Sequence, residues 1–541
     1  MEIEVKGHSG CSIEILREDK DLFICKSSHD PKYVLRLVKQ AEKQQQAALY
    51  EYQHVRIPQI FDVEYDERHA SIKMEYVYSR NFIEYFESAG FEQIDYFIKA
   101  LILFVEKELK ESPIQRVPTS VTMEKFIDVE DKVKSNSLLQ NDEEINRIMK
   151  SARTIIEALS LNEYIEMPVG ICHGDLTFSN ILFNGNNYYL IDFLDSFIES
   201  PLMDIIKIRQ DSYHLWSQMM YTKPFDGLRL KIICKKIDKE INRYFSRYEW
   251  YTKNYDVYQL LNLLRILQYA KEEKVVSFLK AEILKILNNT SNQFELEQTQ
   301  KNIISESFSL IVPAASDNPQ YQDVMPYVFS LDTSGIMLCL RAIQGLDLNR
   351  FDNIYITILK KHADKYSLRE LFELQFKRLR MSNAKLVVLE EVTSSQTETV
   401  FKTIESQHIV GSIFIKDADG YFEADVLREN GIALYPLEQL SMVDPQHKSY
   451  VAVDDGYYIT NIIERKIVSH LFNVGGVCFK DINDFVNYYK TLIKYGTHVC
   501  MSHIIYAMLL NKQQFRPTMA LNYIDWGNKH LYNYFVMHND F

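Results

Sequence analysis

Four short segments in the first 80 residues alternate between apolar and polar positions, which is the pattern of strands with one buried face. They are CSIEIL, DLFICKS, IFDVEY and ASIKMEYV. Between the second and the third, DPKYVLRLVKQAEKQQQAALYEY has helical composition and a proline near its start. The chain is therefore predicted to begin with a small β-rich region that contains one helix.

Helical patterns dominate the segment that follows. Residues 82–168 are predicted to be helical, with FIKALILFVEKEL as a strongly apolar stretch, and residues 204–287 are predicted to be helical again. Residues 169–200, between them, have strand and loop character. The pattern predicts a small β-rich lobe at 1–80 followed by a larger helical lobe at 81–290.

A polar segment separates this region from the rest of the chain. NNTSNQFELEQTQKN, at 288–302, has no periodic apolar face, and we place a linker at 291–305. Beyond it, short apolar or β-branched runs alternate with helical stretches; the runs are FSLIVPAA, NIYITIL, AKLVVLE, GSIFIKDADG and SYVAVDD. Because such alternation indicates βα repeats, we predict an α/β domain at 306–541.

The composition narrows the class of protein. With 541 residues, 46% of them apolar and 25% charged, the chain has material for two or more globular domains. The net charge of −13 argues against a nucleic-acid partner, which needs a basic face. Seven dispersed cysteines indicate reduced thiols, and the apolar runs are too short for a membrane span. We expect a cytoplasmic protein.

The candidate chemistry is concentrated in CHGDLTFSNILFNGNNYYLIDFLDS at 172–196. His173, Asp175 and Asn180 stand in an HxDxxxxN arrangement, and Asp192 follows twelve residues later in IDF. Phosphoryl transfer needs a carboxylate that orients the attacking hydroxyl and takes its proton, and oxygen ligands for the magnesium ions that bridge the phosphates. A structural loop that happens to hold polar residues is the alternative interpretation, and the position of IDF behind the loop argues against it.

This stretch resembles the aminoglycoside phosphotransferase and choline kinase superfamily, whose signature is HGDxxxxN followed by a metal-binding Asp in an (I/V)DF-type sequence. The resemblance implies that Asp175 is the catalytic base and that His173 supports the catalytic loop. It also implies that Asn180 and Asp192 bind Mg²⁺ and that ATP or GTP is the phosphoryl donor. The expected fold of 1–290 is a protein-kinase-like bilobal domain of the α+β class.

The same resemblance implies a phosphate loop with glycines, a strand lysine and a helix glutamate in the N-terminal lobe. Gly7 and Gly10, ahead of the first strand, are the candidates for the loop, and Lys26 would grip the α- and β-phosphates. Glu42, inside the predicted helix, would orient Lys26, with Glu51 as the alternative carboxylate. Taken alone, each charged residue of this set would be read as a solvated surface charge.

The residues after the motif do not identify the acceptor. Asp204 is predicted to hold the catalytic loop through hydrogen bonds, and Asp195 could touch a cationic acceptor or cap a helix. Trp216 and the tyrosines of 213–222 could form an aromatic wall for a choline-like head group. Core packing is the favoured interpretation for most of these rings.

The second domain resembles the sugar-phosphate nucleotidyltransferases, beginning with SLIVPAASDNPQYQDVMPYVF from 309. The similarity continues through LEEVTSSQTETV, IFIKDADGYFE, NIIERK, FNVGGVCF and YIDWGN. It implies an α/β, Rossmann-like fold with magnesium ligands at Asp419 and Asp525, and Asp417 as a helper. CTP or UTP would be the nucleotide of an active domain of this kind.

Several features of that family are missing. The GxGxR loop is replaced by AASDNPQ, and Tyr327 follows Pro326 where the family has a lysine. Glu464 is kept in ERK, but Lys466 is displaced from its usual position. Because the missing groups would neutralise charge at the α-phosphate, nucleotidyl transfer and a role in binding or scaffolding both stay open.

The sequence thus predicts a magnesium-dependent kinase for a hydroxyl of a small molecule (a sugar, a polyol or an amino alcohol), fused to a nucleotidyltransferase-like domain. The fusion suggests a bifunctional enzyme that phosphorylates and then activates a precursor of a surface polysaccharide, a capsule or a phospholipid head group. One alternative is an active kinase with a sugar-nucleotide-binding or glycosyl-transfer second domain, and another is a catalytically silent scaffold. The sequence leaves open whether the chain forms a homodimer.

Overall fold

The computed structural model describes residues 11–289, 307–317, 325–440, 448–527 and 529–538. The described residues form two compact units. The first unit comprises the described residues before 299 except Ser88–Glu92 and Gly227–Arg229, and the second comprises these two segments and the described residues from 307 onward. Gly7, Gly10 and the predicted linker at 291–305 lie outside the described residues.

The described part of the chain before residue 290 contains short strands and long helices. Its strands are β1 (Ser12–Glu18), β2 (Asp21–Ser28), β3 (Val55–Arg56), β4 (Ile60–Tyr65), β5 (Ala70–Glu75), β6 (Ile114–Pro118), β7 (Tyr164–Pro168), β8 (Ile181–Asn184) and β9 (Asn187–Leu190). Its helices are α1 (Pro31–Ala48), α2 (Phe82–Ser88), α3 (Phe91–Lys110), α4 (Thr119–Ser135), α5 (Glu143–Leu159), α6 (Pro201–Ser212), α7 (Trp216–Met219), α8 (Gly227–Phe245), α9 (Glu249–Leu267) and α10 (Glu273–Asn289).

The N-terminal sheet has the strand order β1-β2-β5-β4, and each pair of adjacent strands in it is antiparallel. Alternate residues of β5 are buried, as the alternating sequence predicts. Helix α1 starts at Pro31 and is capped by Asp30, whose carboxylate accepts a hydrogen bond from the backbone N–H of Lys32. The apolar residues of α1 pack on the sheet in one small core, which includes Val34, Leu37 and Ile72. The four predicted strands and the predicted helix are confirmed.

Helices α4, α5, α9 and α10 pack around a second core, which includes Phe126, Ile148, Leu264 and Leu279. The prediction that 82–168 is helical throughout is wrong at two places, because β6 and β7 pair there as a short antiparallel ladder. Each strand has five residues and ends at a proline. A segment this short holds too few residues for its periodicity to be separated from that of the flanking helices.

The described part of the chain from residue 307 alternates between strands and helices. Its strands are β10 (Phe308–Pro313), β11 (Asn353–Leu359), β12 (Ala384–Leu389), β13 (Ser412–Lys416), β14 (Gly420–Glu423), β15 (Gly431–Pro436), β16 (Ser449–Val453), β17 (Ile459–Glu464), β18 (Leu471–Phe479), β19 (Arg516–Met519) and β20 (Leu521–Asp525). Its helices are α11 (Leu338–Arg341), α12 (Lys360–Lys365), α13 (Leu368–Arg378), α14 (Gln396–Gln407), α15 (Ile482–Leu492), α16 (Met501–Leu510) and α17 (Lys529–His538).

The main sheet of this unit has the order β12-β11-β10-β13-β18-β15-β19. Strands β12, β11, β10 and β13 are parallel, whereas β18 is antiparallel to both of its neighbours in this order. Strands β10 and β11 are buried along nearly their whole length, as expected for parallel strands covered on both faces. The five predicted runs form β10, β11, β12, β13 and β16, and this unit contains both strands and helices, as an α/β domain requires.

Within the described ranges, no helix combines the length and the apolar character that crossing a membrane requires.

Candidate functional site

The sequence motif HGDxxxxN forms a loop between β7 and β8, which we call the HGD loop (residues 173–180). His173 is fully buried, and the backbone N–H of Asp175 donates to its Nδ1 at 3.2 Å. Nε2 therefore carries the proton and donates to the carbonyl oxygen of Ile191 at 2.9 Å. Burial lowers the pKa of His173 to about 4, so the ring is neutral at pH 7 and ties the loop to the residues after β9.

Gly174 and Asp204 fix the start of the HGD loop. Gly174 has φ of +86°, and a Cβ there would lie 2.0 Å from the carbonyl oxygen of Leu194, so only glycine fits. The backbone N–H groups of His173 and Gly174 donate to the Asp204 carboxylate at 2.5 and 2.8 Å. The predicted role of Asp204 in holding the loop is confirmed.

The Asp204 carboxylate is itself fully buried, and this burial raises its pKa to about 6 despite the hydrogen bonds that it accepts. Glu108 lies beside it, also buried, and the two side chains share a hydrogen bond. Burial, followed by the charge of Asp204, raises the pKa of Glu108 well above its ordinary value. Glu108 is therefore the protonated member of the pair and donates to Asp204.

Asp175 lies between an ammonium group and an amide. Lys207, from α6, places its Nζ 3.0 Å from Oδ1 of Asp175. Asn180 Nδ2 donates to Oδ2 of Asp175 at 3.1 Å and to its backbone carbonyl at 2.8 Å. Burial would raise the pKa of Asp175, but the charge and the hydrogen bond of Lys207 outweigh burial and hold that pKa below its ordinary value. Asp175 is thus ionised at neutral pH, as a proton acceptor must be.

Lys26 and Asp192 are 166 positions apart in sequence and adjacent in the structure. Lys26 Nζ lies 2.6 Å from Oδ1 of Asp192, and the Lys26 side chain is only 5% exposed against 39% for Asp192. Asp192 has φ of +62°, which a non-glycine residue adopts at a cost in free energy. The structure therefore brings together two residues that the sequence predicted for one site.

In the described part of the chain, neither of the two glutamates predicted to orient Lys26 forms an ion pair with it; its ion pair is with Asp192. The second hydrogen bond of Lys26 goes to Oε1 of Gln40 at 3.3 Å. Residues two apart on an α-helix point about 200° away from each other, so Glu42 faces away from Gln40, is exposed, and lines a cavity of about 580 Å³. Glu51 lies beyond the end of α1 and is exposed. The expectation that Glu42 or Glu51 orients Lys26 is therefore corrected to Gln40.

A lysine of α1, Lys43, reaches the segment after the IDF sequence. Lys43 Nζ donates to the carboxylate of Glu199 at 2.7 Å and to the carbonyl oxygen of Leu194 at 2.6 Å. Sequence reasoning missed this pair, because its members are 156 positions apart and no motif marks them. Asp195, considered above for a cationic acceptor, forms an exposed ion pair with Lys39 at 3.7 Å.

The aromatic residues of 213–222 are only partly available for an acceptor. Trp216 packs against the core formed by α4, α5, α9 and α10, with its ring 6.3 Å from that of Phe278. This confirms core packing for Trp216. Tyr213 is 41% exposed.

The oxygen atoms of Asn180 and Asp192 suit a magnesium ion shared with a nucleotide. Among the described residues, no group of three or more His, Cys, Asp or Glu side chains is arranged to hold a metal ion. Mg²⁺ in nucleotide sites needs no such group, because it takes one or two protein carboxylates together with phosphate and water oxygens. The partly exposed Asp192 and the neighbouring Asn180 fit this pattern.

The carboxylates predicted for the second unit also come together. Strands β14 and β20 pair so that Gly420 lies opposite Asp525. A Cβ at Gly527 would lie 2.8 Å from Oδ2 of Asp419 and 3.2 Å from Oδ1 of Asp525, so both carboxylates border this glycine. Asp417 follows β13 and accepts a hydrogen bond from the Gln396 amide.

Two lysines that sequence reasoning missed lie among these carboxylates. Lys448 contacts the carboxylate of Asp525 and donates to the hydroxyl of Tyr523 at 2.8 Å. Lys416 is fully buried and donates to the carbonyl oxygens of Asp417 and Gly420 at 2.8 and 2.7 Å. Burial lowers the pKa of Lys416 to about 8, against the opposing effect of the carboxylates. This candidate site therefore combines anionic and cationic groups.

Tyr327, which stands where the resembling family has a lysine, stacks on Tyr532. The two ring centroids are 4.3 Å apart and the planes are inclined by 7°. Glu464 accepts a hydrogen bond from the Ser449 hydroxyl at 2.8 Å.

The groups of the first unit define a class of protein. A buried strand lysine, a loop with an aspartate and an asparagine, and a further aspartate are groups that kinase-type phosphotransferases use. Residues 17–228 match the model of the phosphotransferase enzyme family (APH). The matched segment is less than half of the chain, and the match confirms the N-terminal resemblance.

Three solved structures are each similar to part of the chain. A nucleoside-diphosphate-sugar pyrophosphorylase from Vibrio cholerae RC9 is 12% identical over 42% of this chain and 100% of its own, with a TM-score of 0.36. An inositol-1-phosphate CTP transferase from T. maritima is 14% identical over 41% of this chain and 90% of its own, with a TM-score of 0.34. A protein described as a fructosamine-3-kinase, from Thermobifida fusca YX-ER1, is 12% identical over 53% of this chain and 93% of its own, with a TM-score of 0.36. No curated protein matches the chain.

Proposed function

We propose that the first unit is a bilobal kinase-like domain, with lobes at 1–80 and 81–290, that transfers the γ-phosphate of ATP or GTP to a hydroxyl group of a small molecule. The observation that carries this proposal is the 2.6 Å contact between Lys26 and Asp192. It joins the predicted phosphate-binding lysine to the predicted metal ligand that follows HGDxxxxN. The family match of residues 17–228 supports the same activity.

Each residue then has a defined task. Asp175, held ionised by Lys207, accepts the proton of the attacking hydroxyl. Asn180 positions the Asp175 carboxylate through its amide, and Asn180 and Asp192 would hold Mg²⁺. Bound there, Mg²⁺ would neutralise charge on the phosphates of the nucleotide. Lys26 grips the α- and β-phosphates, and Gln40 keeps its ammonium group in place.

The test is the formation of ADP or GDP by the full-length chain in the presence of a panel of sugars, polyols and amino alcohols. Lys26→Met should lower kcat/KM for the nucleotide by about 100-fold or more, because it removes a preorganised cation from the phosphates. Lys20→Met, at an exposed lysine in the same sheet region, serves as the matched control and should keep the rate of wild type. Equal rates in Lys26→Met and wild type would contradict the proposal.

We propose that the second unit, a Rossmann-like domain at 306–541, binds a nucleotide or a nucleotide conjugate near Asp417, Asp419 and Asp525. Convergence of Asp419 and Asp525 on Gly527 supports a site here. The absence of the GxGxR sequence, whose place AASDNPQ takes, favours binding over nucleotidyl transfer, because that loop would neutralise charge at the α-phosphate. A purely binding domain corresponds to the alternative of a sugar-nucleotide sensor.

Pyrophosphate release from CTP or UTP separates these alternatives. Release that Asp525→Ala abolishes would establish a bifunctional enzyme. Binding of CTP or UTP without pyrophosphate release, lost in Asp525→Ala, would establish the sensor. A cytoplasmic enzyme that phosphorylates and then activates a precursor, in surface-polysaccharide or head-group biosynthesis, would account for the fusion of the two domains.

A further inference from the structure

A cavity of about 580 Å³ lies beside α1, and the mechanism proposed above does not use it. Helix α1 contributes Glu42, Lys43 and Gln46 to its lining. Other parts of the wall come from residues 170–172, directly before the HGD loop, and from Phe193 of the IDF sequence. A cavity of this volume can hold a small organic molecule.

The cavity is separate from the groups proposed to act on the nucleotide. Among the described residues, Lys26, Asp175 and Asp192 do not belong to its lining. Gln40, which holds Lys26, and Glu42 point to different sides of α1, since positions two apart on an α-helix are about 200° apart. A ligand in the cavity would therefore leave the place of the nucleotide open.

The two lysines of the lining are already paired with carboxylates of the same lining. Lys43 Nζ lies 2.7 Å from the Glu199 carboxylate. Lys39 Nζ lies 3.7 Å from the Asp195 carboxylate. The Glu42 carboxylate, by contrast, forms no ion pair and no hydrogen bond with a described residue. An anionic ligand would have to displace a carboxylate from a lysine, whereas a cationic ligand could pair with Glu42 directly.

A second oxygen of the lining lacks a hydrogen-bond donor. Glu108 lines the cavity and is only 1% exposed. Its carboxyl group donates to Asp204, and its Oε2 atom accepts a hydrogen bond from none of the residues that the structure describes. A buried oxygen without a donor costs free energy, which an N–H or O–H group of a ligand would offset.

Aromatic rings complete the lining. The ring centroids of Tyr50 and Tyr52 are 6.1 Å apart, with the planes inclined by 51°, and Phe193 adds a third ring. Aromatic faces attract ammonium groups through their quadrupole, and carboxylates attract them by charge. The combination of these rings with an unpaired carboxylate and an oxygen without a donor therefore suits an amine.

We propose that this cavity binds a small organic amine with a second hydrogen-bond donor, such as an amino alcohol, at a site separate from the catalytic site. Glu42 is exposed and Glu108 is buried, so the ammonium group would pair with Glu42 at the mouth of the cavity. The second donor would reach Glu108 at its inner end, with the carbon chain along the tyrosine rings. This inference does not depend on the proposed phosphotransferase function, because binding can be measured without turnover.

The test compares ligands with the same carbon skeleton and different charge by calorimetry on the full-length chain. One series is aminobutanol, butanediol and hydroxybutyrate, and the other is aminopentanol, pentanediol and hydroxyvalerate, each with its polar groups at the two ends of the chain. In one series at least, the amine should bind most tightly.

Variants then place the bound amine. Glu42→Gln should weaken its binding by about 10-fold, the effect of losing a charged hydrogen-bond partner. Gln46→Trp, which adds an indole to the lining at an exposed position, should weaken binding at least as much, because the ring takes up space in the cavity. Glu124→Gln, at an exposed glutamate of α4, and Asp175→Asn should both bind the amine like wild type.

Two results would overturn this site. One is a wild type that binds neither amine, or that binds the uncharged or anionic member of both series as tightly as the amine. The other is amine binding that Glu42→Gln leaves unchanged; if Asp175→Asn then removes it, the amine occupies the position of the acceptor instead. A chain that transfers no phosphate but loses amine binding in Glu42→Gln would refute the proposed function and support the amine site.

Discussion

The buried side chain of His173, in the HGD loop, makes the stability of the folded chain depend on pH. Its pKa is about 4 in the folded chain against an ordinary value of 6.5, because burial disfavours the charged ring. The unfolded chain therefore binds a proton at His173 between these pH values while the folded chain does not. Stability contributed by this residue is fully present above pH 6.5 and is lost as pH falls towards 4.

We expect this loss to amount to about 2–3 kcal/mol between pH 7 and pH 4.5. Denaturant unfolding of wild type and His173→Gln at both pH values measures it. The difference in free energy of unfolding between the two proteins should shrink by that amount at pH 4.5, since the variant has no imidazole to protonate. A difference that is the same at both pH values would show that His173 is not held neutral.

Gly174 and Gly185 separate two effects of replacing a glycine by alanine: strain in the backbone and a steric clash of the added methyl group. Both have positive φ, +86° and +58°, but a Cβ at Gly174 would meet the Leu194 carbonyl oxygen at 2.0 Å, whereas a Cβ at Gly185 meets nothing within 4 Å. Gly185→Ala should cost about 1–2 kcal/mol of stability, the penalty of the left-handed conformation. Gly174→Ala adds a clash and should cost about 2–5 kcal/mol.

Thermal or denaturant unfolding of the two alanine variants checks this order. Gly174→Ala should also reduce phosphoryl transfer, because the HGD loop must move to admit the methyl group. Equal destabilisation by the two substitutions would mean that the approach of Leu194 to Gly174 is not tight.

The residues of the site could be predicted from sequence only where a motif or an element boundary marks them. Asp175, Asn180 and Asp192 lie within one continuous motif, and Lys26 ends a predicted strand. Five residues that complete the two candidate sites were missed: Gln40, Lys43, Lys207, Lys416 and Lys448. The contacts of Lys43 with Glu199 and of Lys448 with Asp525 span 156 and 77 positions. The contact of Gln40 with Lys26 depends on which side of α1 faces the sheet. The one signal available for Gln40 is its spacing of four from the buried Gln44 on α1.

At the scale of elements, two ion pairs join α1 to the segment after the IDF sequence, and the two pairs differ in how far their side chains are exposed. Lys43 and Glu199 are 2.7 Å apart with side chains 16% and 35% exposed. Lys39 and Asp195 are 3.7 Å apart with side chains 64% and 56% exposed. Because solvent screens exposed pairs, the two pairs should differ in coupling energy although they join the same elements.

A double-mutant cycle with Lys43→Met and Glu199→Gln should give a coupling energy of about 1–2 kcal/mol. The same cycle with Lys39→Met and Asp195→Asn should give at most about 0.5 kcal/mol. Unfolding free energies of the single and double variants supply both values. Coupling as weak for Lys43–Glu199 as for Lys39–Asp195 would mean that α1 is not held to this segment by the inner pair.

Helices and strands with a clear pattern of apolar positions were predicted well. Strands β1, β2, β4 and β5 and helix α1 follow from alternation and from a proline-marked helix start, and β10 to β13 follow from buried runs. Strands β6 and β7 were missed, because five residues between helices are too few to show the alternation of apolar and polar positions that marks a strand. The order of the main sheet in the second unit was also beyond the sequence, since β18 joins β13 and β15 through pairings distant in the chain.

At the scale of the whole molecule, each candidate site is built from residues of its own unit. Asp175 and Lys26 belong to the first unit, and Asp419 and Asp525 belong to the second. We therefore expect Asp525→Asn to leave the rate of γ-phosphate transfer within about twofold of wild type, the range of a substitution remote from the chemistry. An assay of ADP formation with the full-length chain checks this. A tenfold loss in Asp525→Asn would show that the two activities are not separable.

The central claim is that Asp175 takes the proton of the hydroxyl that attacks the nucleotide. Its most direct test is the rate of γ-phosphate transfer by Asp175→Asn, with ATP affinity measured on the same samples. Because this variant keeps the size of the side chain and loses the base, kcat should fall by about 10²- to 10⁴-fold while ATP affinity is retained. Asp131→Asn, at an exposed aspartate of α4, should transfer phosphate like wild type. A wild-type kcat in Asp175→Asn would contradict the account.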